Sequence, residues 1–206
     1  MSSPLQIKSN DRIALVGATG SGKTFFAARL LAHTSRLVVI DPKNTLRGKW
    51  GLGEWTRKSE RALISGDPVR VRFSPEPGGE WRYDRIIERV YMAGGCSLYI
   101  DEVYGVVQPG KKPPPYFTAV YTRGRELGIG VIAATQRPAW VPLFILSEAN
   151  WFVAFRLMME EDRKRMAGFM GRGVLQPIED EHGFYIYSAA WRHPTARYFR
   201  SISNST

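Results

Sequence analysis

Four short stretches of this 206-residue sequence carry side chains able to handle a triphosphate. The first is Gly17-Ala18-Thr19-Gly20-Ser21-Gly22-Lys23-Thr24, which follows the apolar run Ile13–Val16 and opens a helix-like stretch, Thr24 to Leu31. It has the spacing G-x-x-x-x-G-K-[ST], in which glycines let the backbone wrap closely enough for successive N–H groups to face phosphate oxygens. The helix behind it adds the partial positive charge of its N-terminus. Lys23 is placed to reach the β- and γ-phosphates and the Thr24 hydroxyl to hold Mg²⁺. The second stretch is Asp101-Glu102, directly after the apolar run Cys96–Ile100. An aspartate there can hold Mg²⁺ through water, and the neighbouring glutamate can take the proton of an attacking water. The third is Thr135-Gln136, where a side-chain amide can bond the γ-phosphate or that water. The fourth holds Arg123 and Arg125, either of which can supply a guanidinium to a γ-phosphate, often from a neighbouring subunit. Spacing does not choose between the two. A phosphate loop alone implies binding; the acidic pair after it implies hydrolysis.

These groups need a scaffold that gathers strand ends. Arg12–Val16, Leu37–Ile40, Cys96–Ile100, Gly128–Ala134 and Trp151–Leu157 read as buried strands, and Val69–Phe73 alternates like a strand with one wet face. Helices are expected over Thr24–His33, Trp81–Met92, Tyr116–Leu127, Val141–Glu148 and Glu160–Met170, and a terminal β pair over Gly183–Ala189 and Arg197–Ser201. Strands alternating with helices predict a doubly wound α/β domain of the P-loop NTPase kind, with a mostly parallel twisted sheet and helices on both faces. One domain over 1–206 is expected, with a core at about 10–157, a C-terminal helix and β pair at 158–201, and a frayed tail at 202–206. Ligands of such sheets sit at the carboxyl ends of the strands, where the first three stretches fall; Arg123 and Arg125 lie toward the end of an expected helix.

Between Asn44 and Pro68 the pattern loosens, and Trp50 and Trp55 stand among Arg47, Lys49, Arg57, Lys58 and Arg61. Such a segment can bind nucleic acid by charge and stacking, or be a surface excursion whose tryptophans cover the edge of the core. The loop Val103–Pro115, with Lys111 and Lys112, directly follows the acidic pair and is the candidate to transmit hydrolysis to a bound polymer.

The formal net charge of +10 favours an anionic partner, a nucleic acid or a membrane surface. The one cysteine, Cys96, cannot close an internal disulfide, and no Cys or His spacing suits a metal cluster, so a reduced cytoplasmic setting is expected. No run is long and apolar enough to span a membrane, and Met1–Lys8 lacks the apolar core of a signal peptide.

The phosphate loop, Leu98-Tyr99-Ile100-Asp101-Glu102 and the block from Arg123 through Ala133-Ala134-Thr135-Gln136-Arg137-Pro138 resemble, in order and spacing over about residues 10–157, the FtsK/HerA superfamily of DNA-translocating ATPases. A bare domain of this size is similar to the genome-packaging ATPases of tailless icosahedral viruses, the internal-membrane type with double-jelly-roll capsids. The resemblance implies an ATP- and Mg²⁺-dependent ring of five or six copies that moves double-stranded DNA, with capsid or portal-vertex proteins as partners. It implies Lys23 and Thr24 on phosphate and Mg²⁺, Asp101 on the metal, Glu102 as base, Gln136 as sensor, and Arg123 or Arg125 as the finger acting in trans. Alternatives are a motor for phage assembly, secretion or cellular DNA transfer, a nucleotide kinase, and a nucleotide-gated DNA-binding module. A GTPase lacks support, since no Asn-Lys-x-Asp segment is present.

Overall fold

The computed structural model describes residues 6–108, 110–191 and 195–200. In chain order the elements are β1 (Arg12–Val16), α1 (Lys23–Leu30), β2 (Arg36–Ile40), β3 (Gly53–Glu54), α2 (Arg57–Ser65), β4 (Val69–Phe73), α3 (Arg82–Ala93), β5 (Ser97–Asp101), α4 (Pro115–Arg123), β6 (Gly130–Thr135), α5 (Leu143–Ser147), β7 (Trp151–Phe155), α6 (Glu160–Met170), β8 (Phe184–Ser188) and β9 (Arg197–Phe199). The strands pair in one sheet ordered β3-β4-β2-β5-β6-β1-β7-β8-β9. Every pairing from β3 through β7 is parallel, and β8 and β9 close the far edge antiparallel. This is the expected α/β architecture. The expected tail at 202–206, together with Ser201, lies outside the described residues.

Near-continuous apolar strands are what a parallel sheet covered on both faces requires. Along β1, Ala14 and Val16 enter one core with α2 to α6, while Ile13 and Leu15 enter the other with Ala27 of α1 and Leu31 just after it. The helices are thus unevenly shared between the faces. On the face of α1 the rest of the cover comes from Leu46, Trp50, Leu52 and Ile7. Both tryptophans of the basic segment are half-buried: Trp50 packs on Tyr99 with ring centroids 5.2 Å apart, and Trp55 packs on the other core. They cover core edges rather than standing clear of the surface.

Three expectations need correction. The loosened stretch from Asn44 contains α2, a polar helix begun by a reciprocal cap in which Thr56 and Ser59 satisfy each other's backbone N–H. Its few apolar residues hid the helical period. Strand β4 has no wet face, because Arg70 donates to the carbonyls of Leu31, Thr34 and Trp50 and Arg72 is buried. Helix α4 stops at Arg123, and Arg125 to Gly128 lie in turns leading to β6.

Arg72 survives burial because its Nη1 lies 3.0 Å from Asp41 Oδ2, a carboxylate that also accepts from the N–H groups of Thr45 and Leu46. Removing one partner of a buried pair leaves the other charge uncompensated. Asp41→Ala is expected to cost about 3–5 kcal/mol of unfolding free energy, read by urea denaturation.

Candidate nucleotide site

The register of the sheet decides which side chains meet. Val16 stands beside Thr135 on one side and Ala154 on the other, and Asp101 stands beside Ala134. β1 therefore delivers the phosphate loop between the ends of β6 and β7. The loop is tied to both: Gly17 N donates to the Thr135 carbonyl at 3.1 Å and Ala18 N to the Arg156 carbonyl at 2.8 Å. Glycine at 17 is demanded by closeness, since a Cβ there would lie 2.6 Å from Phe155 Cβ. Gly22 caps α1 at φ 106°, a left-handed conformation that favours glycine. The Ser21 hydroxyl is buried in this loop with no hydrogen-bond partner among the described residues, a donor that a phosphate oxygen would satisfy.

Lys23 is buried at the mouth of α1, where its ammonium donates to the Gly17 and Ala18 carbonyls at 2.6 and 2.9 Å. Burial lowers its pKa from 10.5 to about 8, against the opposing pull of Glu102 and Asp101, with Lys43 adding to the lowering. A bound triphosphate favours the charged form. Below pH 8 the ammonium is charged with or without nucleotide, so affinity is flat. Above pH 8 binding must take up a proton, and affinity is expected to fall by up to about tenfold per pH unit toward 10. Isothermal titration in buffers of differing ionisation enthalpy reads that proton directly.

The acidic pair lies beside this loop. The Tyr99 hydroxyl, on a side chain buried in β5, donates to Asp101 Oδ1 at 2.7 Å. Burial and the Asp101 charge push the Tyr99 hydroxyl well above its ordinary pKa, keeping it a donor. Thr24, in the first turn of α1, and Asp101, at the end of β5, are the hydroxyl and the carboxylate on offer here. One hydroxyl and one carboxylate suit a Mg²⁺ held mainly by phosphate and water; among the described residues no cluster of three acidic, His or Cys side chains forms a metal cage.

Glu102 follows at φ 80° and ψ 78°, a conformation rare outside glycine and retained mostly at functional positions. Its two oxygens have separate partners. Thr135 Oγ1 donates to Oε1 at 2.8 Å, and Lys43 Nζ lies 3.3 Å from Oε2. Lys43 is 45% exposed, so this pair is worth about 1 kcal/mol or less. Gln136 accepts from the Thr19 hydroxyl at 2.8 Å, which joins it to the phosphate loop from the neighbouring strand. The arrangement places the glycine-rich loop, the Lys23 ammonium, the carboxylates of Asp101 and Glu102 and the Gln136 amide at the carboxyl ends of β1, β5 and β6.

Arg123 and Arg125 are not brought to this site. Both are exposed and precede β6, whose six residues end at Thr135, roughly 17 Å along the strand from Gly130. The Arg123 guanidinium lies over the Tyr91 ring, 5.6 Å from its centroid, and the Arg125 carbonyl accepts from Asn10. Lys43, Thr45 and Tyr99 join the site without having been assigned to it from sequence, and Thr135, named there only beside Gln136, gains a contact of its own with Glu102. The available signal was Asp41-Pro42-Lys43, another charged strand end. The candidate transmission loop opens with a 3-10 turn over Val103–Gly105 and carries Lys111 and Lys112 exposed, while Pro109 lies outside the described residues.

No protein-family model matches the chain. It is 29% identical over 171 residues to the DNA packaging ATPase P9 of Enterobacteria phage PRD1, a match covering 77% of this chain and 70% of P9. It superposes on the genome packaging NTPase B204 from Sulfolobus turreted icosahedral virus 2 in complex with AMPPCP at a TM-score of 0.77, with 18% identity, covering 95% of this chain and 100% of B204. The pCW3 conjugation coupling protein TcpA, in monomer form with ATPγS, superposes at 0.62 with 15% identity, covering 93% of this chain and 60% of TcpA. The structural likenesses establish the fold as that of a P-loop NTPase.

Proposed function

We propose that this chain is the ATPase subunit of a viral genome-packaging motor, hydrolysing ATP to move double-stranded DNA into a capsid. The observation carrying this reading is the meeting of Lys23, Thr24, Asp101, Glu102 and Gln136 at three adjacent strand ends, in a chain related to a packaging ATPase over most of its length. In the reaction, Lys23 leaves the Gly17 and Ala18 carbonyls for the β- and γ-phosphate oxygens, and the loop N–H groups hold the remaining charge. Thr24 and Asp101 would hold Mg²⁺, which would supply positive charge against the phosphates. Glu102 orients the attacking water and takes its proton, while Gln136 bonds the γ-phosphate and passes its presence to the loop through Thr19.

Arg123 or Arg125 completes the site from the next copy in a ring of five or six. No arginine finger reaches the site from those two positions within one chain, so the reading requires a neighbour. Val103–Pro115 then moves with Glu102 and pushes on DNA phosphates through Lys111 and Lys112. Capsid or portal-vertex proteins receive the ring, in the host cytoplasm. No helix among the described residues is long and apolar enough to cross a membrane.

The reading is tested by ATPase rate with and without duplex DNA at low and moderate salt. Phosphate contacts predict stimulation independent of DNA sequence, and an apparent DNA affinity that drops on the order of a hundredfold or more between 50 and 200 mM salt. Hydrolysis indifferent to DNA at low salt would overturn it.

A further inference from the structure

Three cationic side chains are buried among the described residues: Arg12, Lys23 and Arg72. Arg72 pairs with Asp41 and Glu54, and Lys23 donates to two carbonyls of the phosphate loop. Arg12 has no such provision. It is 8% exposed, its Nε is buried without a hydrogen-bond partner, and its guanidinium enters no ion pair among the described residues. A guanidinium is not deprotonated in a protein, so this one carries its charge where it stands. A charge taken out of water needs a compensating partner.

Arg12 opens β1, at the end of that strand away from the phosphate loop. Alternation along the strand puts it on the face that Ala14 and Val16 share with α4 and α5. Tyr121 of α4 is on that face, 2% exposed, its ring packed on Phe117 and Phe144 and its hydroxyl also buried without a partner. Burial raises the Tyr121 pKa and the charge of Arg12 opposes that rise, leaving the hydroxyl protonated and able to donate. Two further charges stand by. Burial lowers the Arg12 pKa, Glu148 opposes this and Arg125 adds to it. Their segments are tied to the same strand end. Asn10 Nδ2 donates to the Arg125 carbonyl at 3.3 Å, and Asn150, two residues after Glu148, exchanges hydrogen bonds with Arg12 at 2.6 and 3.0 Å.

We infer that Arg12 and Tyr121 form a binding site for a small oxyanion, a phosphate or a carboxylate, with the exposed Arg125 at its rim. The guanidinium fork and the phenolic hydroxyl are the donors that such an anion accepts from. Glu148 does not already fill the role: its charge is felt by Arg12, yet the two form no ion pair. A water molecule would satisfy the two orphaned atoms and leave the charge unbalanced. The site stands at the far end of β1 from Lys23, so it is separate from the phosphate loop, and the inference is independent of the packaging reading. A bound anion would also give Arg125 a counter-charge fixed to the sheet, steadying the turn that follows α4.

The test is thermal unfolding in sodium phosphate, acetate or chloride at matched ionic strength. The protein is first saturated with Mg²⁺ and a non-hydrolysable ATP analogue, so that the phosphate loop is already filled. Phosphate or acetate is expected to raise Tm by about 3–6 °C beyond chloride at ten times its dissociation constant. A larger effect of phosphate assigns a phosphate ligand; an equal or larger effect of acetate assigns a carboxylate. Calorimetric titration with the more effective anion then compares the wild type with Tyr121→Phe and Arg12→Met. Tyr121→Phe removes one hydroxyl and no charge, and is expected to weaken binding about tenfold or more. Anions held elsewhere on this basic protein would not respond to it. Arg12→Met is expected to lose the anion effect and to keep or raise the anion-free Tm, because an unpaired buried charge has gone. The proposal is overturned if neither anion exceeds chloride, if Tyr121→Phe binds as the wild type does, or if Arg12→Met keeps the anion effect. Should Arg12→Met not fold, the titration of Tyr121→Phe decides.

Discussion

Glu102→Gln is expected to bind ATP as the wild type does and to lose hydrolysis by about 10² to 10⁴-fold. The amide has the shape of the carboxylate and its oxygen still accepts from Thr135, so the backbone at φ 80° keeps its anchor. What it cannot do is take the proton of the attacking water. Affinity for ATP should hold or tighten slightly, because one negative charge facing the γ-phosphate is gone. Equilibrium binding of a fluorescent ATP analogue and single-turnover hydrolysis separate the two effects. A variant retaining a tenth or more of wild-type turnover would remove the base assignment, and the acidic strand end would then serve only the metal.

The double variant Arg123→Ala/Arg125→Ala is expected to lose on the order of 10³-fold in turnover while still binding ATP. Neither arginine lies near the phosphate loop of its own chain: both sit across the length of β6 from Gln136. Loss of that size can therefore come only from a neighbour's site, which makes mixing experiments informative. In mixed rings each variant subunit should silence the site of the adjacent copy, and activity should fall faster than the variant's mole fraction. Proportional loss would place both arginines outside the reaction. Single variants then decide between the pair, one of which is held over Tyr91 at the end of α4.

The phosphate loop and the acidic pair were legible because each is local. The spacing of Gly17, Gly22, Lys23 and Thr24 encodes one backbone path, and an aspartate and glutamate closing an apolar strand have few other uses. Lys43, Thr45 and Tyr99 were not legible because their roles depend on strand order. That β2 lies beside β5, with Ile40 next to Ile100, is a fact of topology that no local period reports. Once that neighbour relation is known, Asp41-Pro42-Lys43 becomes a second charged strand end facing Asp101-Glu102. The alternation of Val69–Phe73 misled for a related reason. Arginines at alternate positions suggest a wet face, whereas Arg70 and Arg72 are absorbed by carbonyls and by Asp41. Helix α2 escaped because its cap, Thr56 with Ser59, carries more of the signal than its apolar residues do. The basic segment is ambiguous in sequence, and burial divides it: its tryptophans pack on the cores and its cations face water.

Displacement of a third strand from a triplex-bearing duplex tests most directly that hydrolysis at this site moves DNA. The wild type with ATP should strip the third strand at a rate that tracks hydrolysis, with no displacement by Glu102→Gln or with a non-hydrolysable ATP analogue. DNA-stimulated hydrolysis without displacement, or displacement that proceeds without hydrolysis, would contradict the motor account.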